Sequence, residues 1–412
     1  MHPLKSAMGL LIALIFTTSA RADPQTFDQA LARAQTNAPI LAAARLRLES
    51  ATTASVASGA LPDPRLGLSL ENLPLSGSLA GRFDADEMTM ARIGVTQDVP
   101  NRARREAERQ QAQADIDMAR ARLAVATREV RLATALAWID YYYAQRRLTA
   151  LESVLSSLSP LWDAAPQGLT NGSLRPAQTL APIRMRAELE DMRSELTANV
   201  ARARAALGRW TGDPAPTLEG APPDLPIDAE RMRSSLGNNP TLLSYRAEAA
   251  RADADLSAAR AATRPDWSFE VSYGRRSPAF GDMVSAGVTI NLPLFQGRRQ
   301  EPLITARASD LTSAQTESVD ALRALTAGFD ADMADHAMHH EQWMRWRDIV
   351  LPAAQQQADL ETASYGAGTA TVNDVLEAFT ALAKAKLEVL ARENAVVRDS
   401  ARISILYGTE RQ

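Results

Sequence analysis

Four short stretches of this chain alternate apolar with polar residues, and they come as two pairs set between long helical patterns. Leu66, Leu68 and Leu70 alternate with Gly67, Ser69 and Glu71, and Ala91, Ile93 and Val95 with Arg92, Gly94 and Thr96. Farther on, Trp267, Phe269, Val271 and Tyr273 alternate with Ser268, Glu270, Ser272 and Gly274, and Val284, Ala286, Val288, Ile290 and Leu292 with small or polar neighbours. A period of two puts successive side chains on opposite faces, so strands are expected at about 64–74, 90–99, 265–274 and 284–293. Each has roughly the 9 to 11 residues that cross a bilayer obliquely, with one apolar and one polar face. A soluble sheet with one covered face shows the same period, and alternation alone leaves that reading open. In lipid, four strands are too few to close a barrel, and an open edge leaves backbone groups unsatisfied at several kcal/mol each. Several chains must then supply one barrel.

The helical patterns are duplicated along with the strands. Pro39 and Pro240 lie 201 positions apart, as do Pro64 and Pro265; Gly172 and Gly368 lie 196 apart, as do Gly212 and Gly408. Asn238-Asn239-Pro240 stands where Asn37-Ala38-Pro39 stood, so two halves share one plan with a small deletion in the second. From about Asn101 to Ser159 no glycine or proline intervenes, and Ile116, Leu123, Val130, Ala137, Ala144, Leu151 and Leu158 recur every seventh residue, a coiled-coil seam. A helix of ~60 residues is roughly 90 Å long. Its counterpart is expected from about Leu303 to Ser364, with Phe329, His336, Trp343 and Val350 seven apart. Prolines at 214, 216, 222, 223 and 226 mark an extended linker. The layout reads as a first repeat over 23–212, a linker over 213–230 and a second repeat over 231–412, after a leader over 1–22.

That leader has Lys5, an apolar run from Met8 to Phe16 and Ala20-Arg21-Ala22, the form of a secretory signal peptide cut after Ala22. With no cysteine, disulfides, thiolate metal sites and a lipidated N-terminal cysteine are excluded, so a non-lipidated exported chain is expected. A formal charge of -4 gives no polyanion signature, and nucleic acid is not an expected partner. Arg102, Arg104 and Arg105 follow the first strand pair and Arg298 and Arg299 the second, where they can meet headgroups at a barrel rim or simply be solvated helix starts.

Each long helix must turn back. The second turn is Tyr365 to Glu377, where Gly366 and Gly368 can adopt the left-handed conformation that ends a helix and Thr371 or Asn373 can cap the next. Its weaker copy runs from Leu169 to Gln178 and includes Gly172 and Ser173; the tips are expected near 168–178 and 365–374. Asp374 and Glu377, three apart, fall on one face of the first turn, where the helix dipole favours anions. His336, His339 and His340 cluster on one helix, and His336 and His340 have the i, i+4 spacing of a zinc or copper chelate; a polar stretch of helix seam is the competing explanation. No nucleophile motif or phosphate loop is present, so neither an enzyme nor a cofactor is expected.

The duplicated layout, the two Asn-x-Pro elements, the turn Ile290-Asn291-Leu292-Pro293-Leu294-Phe295-Gln296-Gly297-Arg298, and Tyr365-x-x-Gly368-Thr369 through Asp374-Val375-Leu376-Glu377 occur in the order that resembles the TolC-type outer-membrane efflux family. The resemblance covers the length of the mature chain. It implies a mostly α fold with a small β part: long antiparallel coiled-coil hairpins forming a periplasmic α-barrel, and four transmembrane strands per chain in a 12-stranded barrel shared by a homotrimer. It also implies an exit duct without catalysis, lodged in outer-membrane lipid and extending into the periplasm. The expected partners are a periplasmic adaptor, docked at Gly172, Ser173, Gly366, Gly368 and Thr369, and an inner-membrane pump of the resistance-nodulation-division type. Tyr365, Asp374 and Glu377 would line the periplasmic gate. The sequence departs from the family where Ala370 replaces an arginine and Gln178 an acidic residue, which points to a weaker or different latch. The segment Ile349-Val350-Leu351-Pro352-Ala353-Ala354 is similar to the branch serving heavy-metal pumps, with organic-solute, drug or protein export as the alternatives within the family. An exported periplasmic coiled-coil scaffold would explain the heptads but not the strands.

Overall fold

The structure, a computed structural model, describes residues 24–83, 86–164 and 180–408. The expected leader and the first tip, with Gly172, Ser173 and Gln178, lie outside the described residues.

The first half opens with α1 (Phe27–Asn37), started by a capping box in which Thr26 and Gln29 satisfy each other's backbone N–H groups. Pro39, whose missing N–H costs nothing at a helix start, begins α2 (Pro39–Ser55). Strands β1 (Arg65–Glu71) and β2 (Met90–Val99) follow, then α3 (Arg102–Ala164) and the returning α4 (Leu180–Thr211). Through the linker the only regular pairing among the described residues is a single parallel bridge, Gln25 to Leu218. The second half repeats the plan: α5 (Ala229–Ser235) and a short 3-10 turn, α6 (Pro240–Ala261), β3 (Asp266–Arg276), β4 (Met283–Asn291), α7 (Gln296–Arg345), α8 (Leu351–Gly366) and α9 (Val372–Tyr407).

Two expectations need correction. The second long helix begins at Gln296, passes through Pro302, and is interrupted by a π-helical turn at Trp346–Val350. Pro352 supplies the reason: without an N–H it cannot continue the ordinary ladder, and the wider turn before it absorbs the mismatch. In the first long helix Pro160 is likewise carried inside α3.

The four strands form one antiparallel sheet in the order β1-β2-β3-β4. The helices attached to them pack in the same order, α2 on α3, α3 on α6 and α6 on α7, so each strand and its helix form one stave of a curved wall. At the far end α4, α3, α9 and the α7–α8 rod lie side by side in the same way. Both ends of the row are open: β1 and β4 each pair on one side only, and α2 and α7 stand at the matching helical edges.

The two Asn-Pro elements lock the returning helices at the middle of the wall. Asn37 Nδ2 donates to the Thr211 carbonyl at 2.9 Å, and Asn239 Nδ2 donates to the Leu406 carbonyl at 2.8 Å while its Oδ1 caps α6. Beside them lies the main core cluster, with Trp138 wholly buried, stacked on Tyr142 at 5.6 Å and donating from Nε1 to the Gln25 carbonyl at 3.1 Å. Of the predicted α3 seam, Ile116, Val130, Ala137, Leu151 and Leu158 are buried, whereas Leu123 and Ala144 are half-buried.

Candidate functional site

The strand register decides which side chains share a face. Leu66, Val95, Val271 and Ala286 form one row across the sheet, and Leu68, Ile93, Tyr273 and Val284 form the next. Phe269 with Val288 and Val99, Trp267 and Ile290 continue the same face. These side chains cover nothing within the chain: Leu68 is 75% exposed and Val271 59%. A continuous apolar face of this kind suits lipid and would be a liability in water.

The opposite face is small and polar. Gly67, Gly94, Ser272 and Ser285 make one row, and a β-carbon at Gly94 would come within 3.0 Å of the Ser272 side chain, so the row stays low. Arg92 spans this face, reaching Glu71 at 3.0 Å and Glu270 at 2.6 Å, and Arg65 meets Asp98 at 2.9 Å. The balance of charge across three strands could not be read from the alternation, because it needs the register that sets Arg92 between two carboxylates.

At the second tip α8 runs through Gly366, so that glycine does not make the left-handed turn; Gly368 does, with φ +77°. The Ser364 carbonyl accepts from the Thr369 N–H at 2.9 Å and from the Thr369 hydroxyl at 3.0 Å, which closes the helix end. Of the two candidate caps, Thr371 is used. Its Oγ1 accepts from the Asp374 N–H at 3.3 Å, and its own N–H and hydroxyl both donate to Asp374 Oδ2 at 2.8 Å. Those bonds hold the Asp374 carboxyl below its ordinary range. Glu377 and Tyr365 are exposed near it, and behind them Val372, Val375 and Leu376 are buried.

The histidines do not converge. His339 Nδ1 lies 2.7 Å from Asp399 Oδ2 on α9; His336 and His340 have ring centroids 6.3 Å apart, and His340 sits edge-on to Trp343. Among the described residues no group of three or more His, Cys, Asp or Glu side chains is arranged to hold a metal ion. Burial pushes the His336 imidazole below its ordinary value, although Asp399 and the Val396 backbone oppose the shift.

The sequence reading missed that α9 is held by polar bonds on both flanks. On one side Asp140 of α3 receives Asn394 at 3.2 Å and pairs with Arg398, and burial with the neighbouring Glu393 carboxylate pushes the Tyr143 hydroxyl well up. On the other, Asp332 of α7 receives Tyr407 at 2.8 Å and Asp399 holds His339. The described residues make a wall with a polar face and a charged, tightly turned end.

Residues 232–409 match the family described as Outer membrane efflux protein. Over 394 residues, 94% of this chain and 90% of the relative, the sequence is 25% identical to the cobalt-zinc-cadmium resistance protein CzcC of Cupriavidus metallidurans. The fold is similar to the CmeC outer membrane channel of Campylobacter jejuni, with a TM-score of 0.78 at 11% identity over 93% of this chain and 85% of that one. The outer membrane protein VceC of Vibrio cholerae is similar to the same degree, TM-score 0.78 at 17% identity over 94% and 97% of the two chains.

Proposed function

Since the chain belongs to the TolC-type outer-membrane efflux family, we propose that three copies close its open wall into one conduit, the exit duct of a tripartite efflux system, carrying heavy-metal cations. The observation that carries the assembly is the shared order of strands and helices. The sheet and the helical layer are unpaired at the same two edges, so one head-to-tail contact, β4 and α7 of one copy against β1 and α2 of the next, completes both layers together. Three copies of four strands make a 12-stranded barrel whose apolar face meets lipid and whose Arg92 face lines the lumen.

The cargo class rests on the similarity to CzcC and on the acidic second tip, where Asp374 and Glu377 would recur around the axis as a ring attractive to cations. Tyr365 narrows that entrance. The tips, through Gly366, Gly368 and Thr369 and the corresponding Gly172 and Ser173, meet a periplasmic adaptor, which couples the duct to an inner-membrane pump of the resistance-nodulation-division type. The duct catalyses nothing, and without a cysteine its anchorage is the barrel alone.

Mass measurement of the detergent-extracted protein, followed by planar-bilayer recording, tests the assembly: a conducting trimer is expected. A water-soluble monomer overturns it. Deletion of the gene in its native host tests the cargo; unchanged zinc, cobalt, cadmium, copper and silver tolerance overturns the metal assignment and leaves the conduit standing.

A further inference from the structure

A groove of about 520 Å³ lies at the foot of the sheet, between the start of α3 and the end of α6, lined by Arg102, Glu106, Gln110, Ser257, Arg260 and Arg264. Arg102, Arg260 and Arg264 form no ion pair with any described residue, whereas neighbouring arginines do: Arg104 is taken by Asp266 and Glu108, and Arg109 by Glu106 at 3.2 Å. The one carboxylate lining the groove is therefore already engaged. Three exposed guanidinium groups thus stand at one open cleft without a paired carboxylate, a local concentration of positive charge that attracts anions.

The position of the groove identifies the source. Arg264 precedes the first residue of β3 by two positions and Arg102 follows the last of β2 by three, so both lie within ~10 Å of the sheet's end. The side of the wall follows from helix geometry. Arg104 binds Asp266, which shares the polar strand row with Ser268 and Glu270; Arg102, two residues away and so about 200° round the helix, points to the other side, that of the apolar face. At the lower margin of that face stands Trp267, 42% exposed and paired with Val99, an aromatic where a bilayer's interface begins. The groove is also internal to one chain, between α3 and α6, and closure of the wall at the α2 and α7 edges leaves it open.

We propose that this groove binds the phosphate headgroup of an anionic phospholipid, of the phosphatidylglycerol type, in the leaflet on the helical side of the membrane. The inference rests on the lipid-facing assignment of the apolar strand face. Guanidinium groups pair phosphate oxygens in two-pronged fashion, and the acyl chains of a lipid so held run up along Trp267 and the apolar rows. Each basic side chain at such a surface multiplies affinity for anionic lipid about fivefold, so the three together are worth about 100-fold.

The test reconstitutes the full-length assembly in nanodiscs of equal phosphatidylglycerol and phosphatidylcholine, strips it in mild detergent and weighs it intact with its retained lipid. Phosphatidylglycerol is expected to be retained in preference, and Arg102→Gln with Arg260→Gln and Arg264→Gln to lower that preference about 100-fold. Should the triple form not assemble, the single changes at Arg102 and Arg264 are each expected to lower it about fivefold. Glu106→Gln, which removes the groove's carboxylate, should leave the preference equal or higher. Equal retention of the two lipids by the unaltered protein, or an undiminished preference after loss of the arginines, overturns the site. Complete displacement of the lipid by millimolar inorganic phosphate overturns the lipid assignment. Conductance is recorded on the same preparations, so a protein that conducts without lipid preference removes this site alone, whereas one that neither inserts nor conducts strikes the conduit reading itself.

Discussion

Val288 and Thr289 are neighbours on β4 with opposite fates in a lipid-embedded barrel. Val288 is 57% exposed and registers with Phe269 on the apolar face; Thr289 registers with Ser268 on the polar face, near Asp98. An arginine near the bilayer midplane costs about 2–4 kcal/mol, and Val288, close to the middle of its strand, should cost about 2 kcal/mol per copy. In the proposed three-copy barrel this becomes about 6 kcal/mol for the assembly. Thr289→Arg puts the same charge into the lumen beside Asp98 and should cost under about 0.5 kcal/mol. Urea titration of vesicle-inserted protein, read by tryptophan fluorescence, measures both. The Val288→Arg form is expected to unfold at distinctly lower urea and the Thr289→Arg form at nearly the unaltered midpoint. Equal losses, or a larger loss at Thr289, would refute the assignment of faces on which the barrel rests.

Further expectations concern the tip and the α7–α9 seam. Thr371→Ala removes the cap of α9 and should destabilise the tip by about 1 kcal/mol, seen as faster amide exchange over residues 372–376 with exchange elsewhere unchanged. The Asp374 carboxyl titrates below its ordinary 3.8, so its contribution is present above that pH and is lost on acidification through the lower folded value; exchange at the tip should accelerate only there. Asp374→Asn with Glu377→Gln should lower cation preference and weaken block by multivalent cations from the periplasmic side in planar bilayers, with trimer mass unchanged; unaltered selectivity would mean that the carboxylates only cap a helix. Burial holds His336 below its ordinary 6.5, so as pH falls the unfolded chain binds the proton first: stability is full above 6.5 and declines toward the folded value. His336→Phe should flatten that part of a thermal-melt series against pH. Because the histidine rings do not converge and His339 is held by Asp399, zinc titration should give the same binding before and after His336→Ala with His340→Ala; binding lost in that double form would restore the metal reading.

What the sequence made legible was whatever repeats at short range. The alternation of Leu66 to Leu70 and of Trp267 to Tyr273 needs no partner to be seen, and the heptads through Leu151 and Leu158 are a property of one helix. Long-range closure was hidden. The clamps from Asn37 to Thr211 and from Asn239 to Leu406 join residues more than 160 positions apart, and the Arg92 bridge to Glu270 spans 178. At the histidines the i, i+4 spacing was correctly seen, but their partners lie on α9, and Asp399 had no reason to be linked with His339 before the packing was known. The π turn shows a third limit: the helix was expected to run through Pro352, and the break before it depended on how the preceding backbone could rearrange.

Away from the belt where α1 covers α3 and α4, the wall is one element thick, and that governs how such a chain can change. In a layered globular protein, a side chain turned away from solvent meets others, and enlarging it forces neighbours to move. Here a helix such as α7 buries only Phe329 completely along its fifty-residue course; its other side chains keep some contact with the surroundings. The bore of the conduit is therefore set by how many staves are joined, while its lining can be rewritten residue by residue at little cost to the joints. One architecture can in this way take on new cargo by drift of its inner surface, keeping unchanged the open edges at β1, α2, β4 and α7.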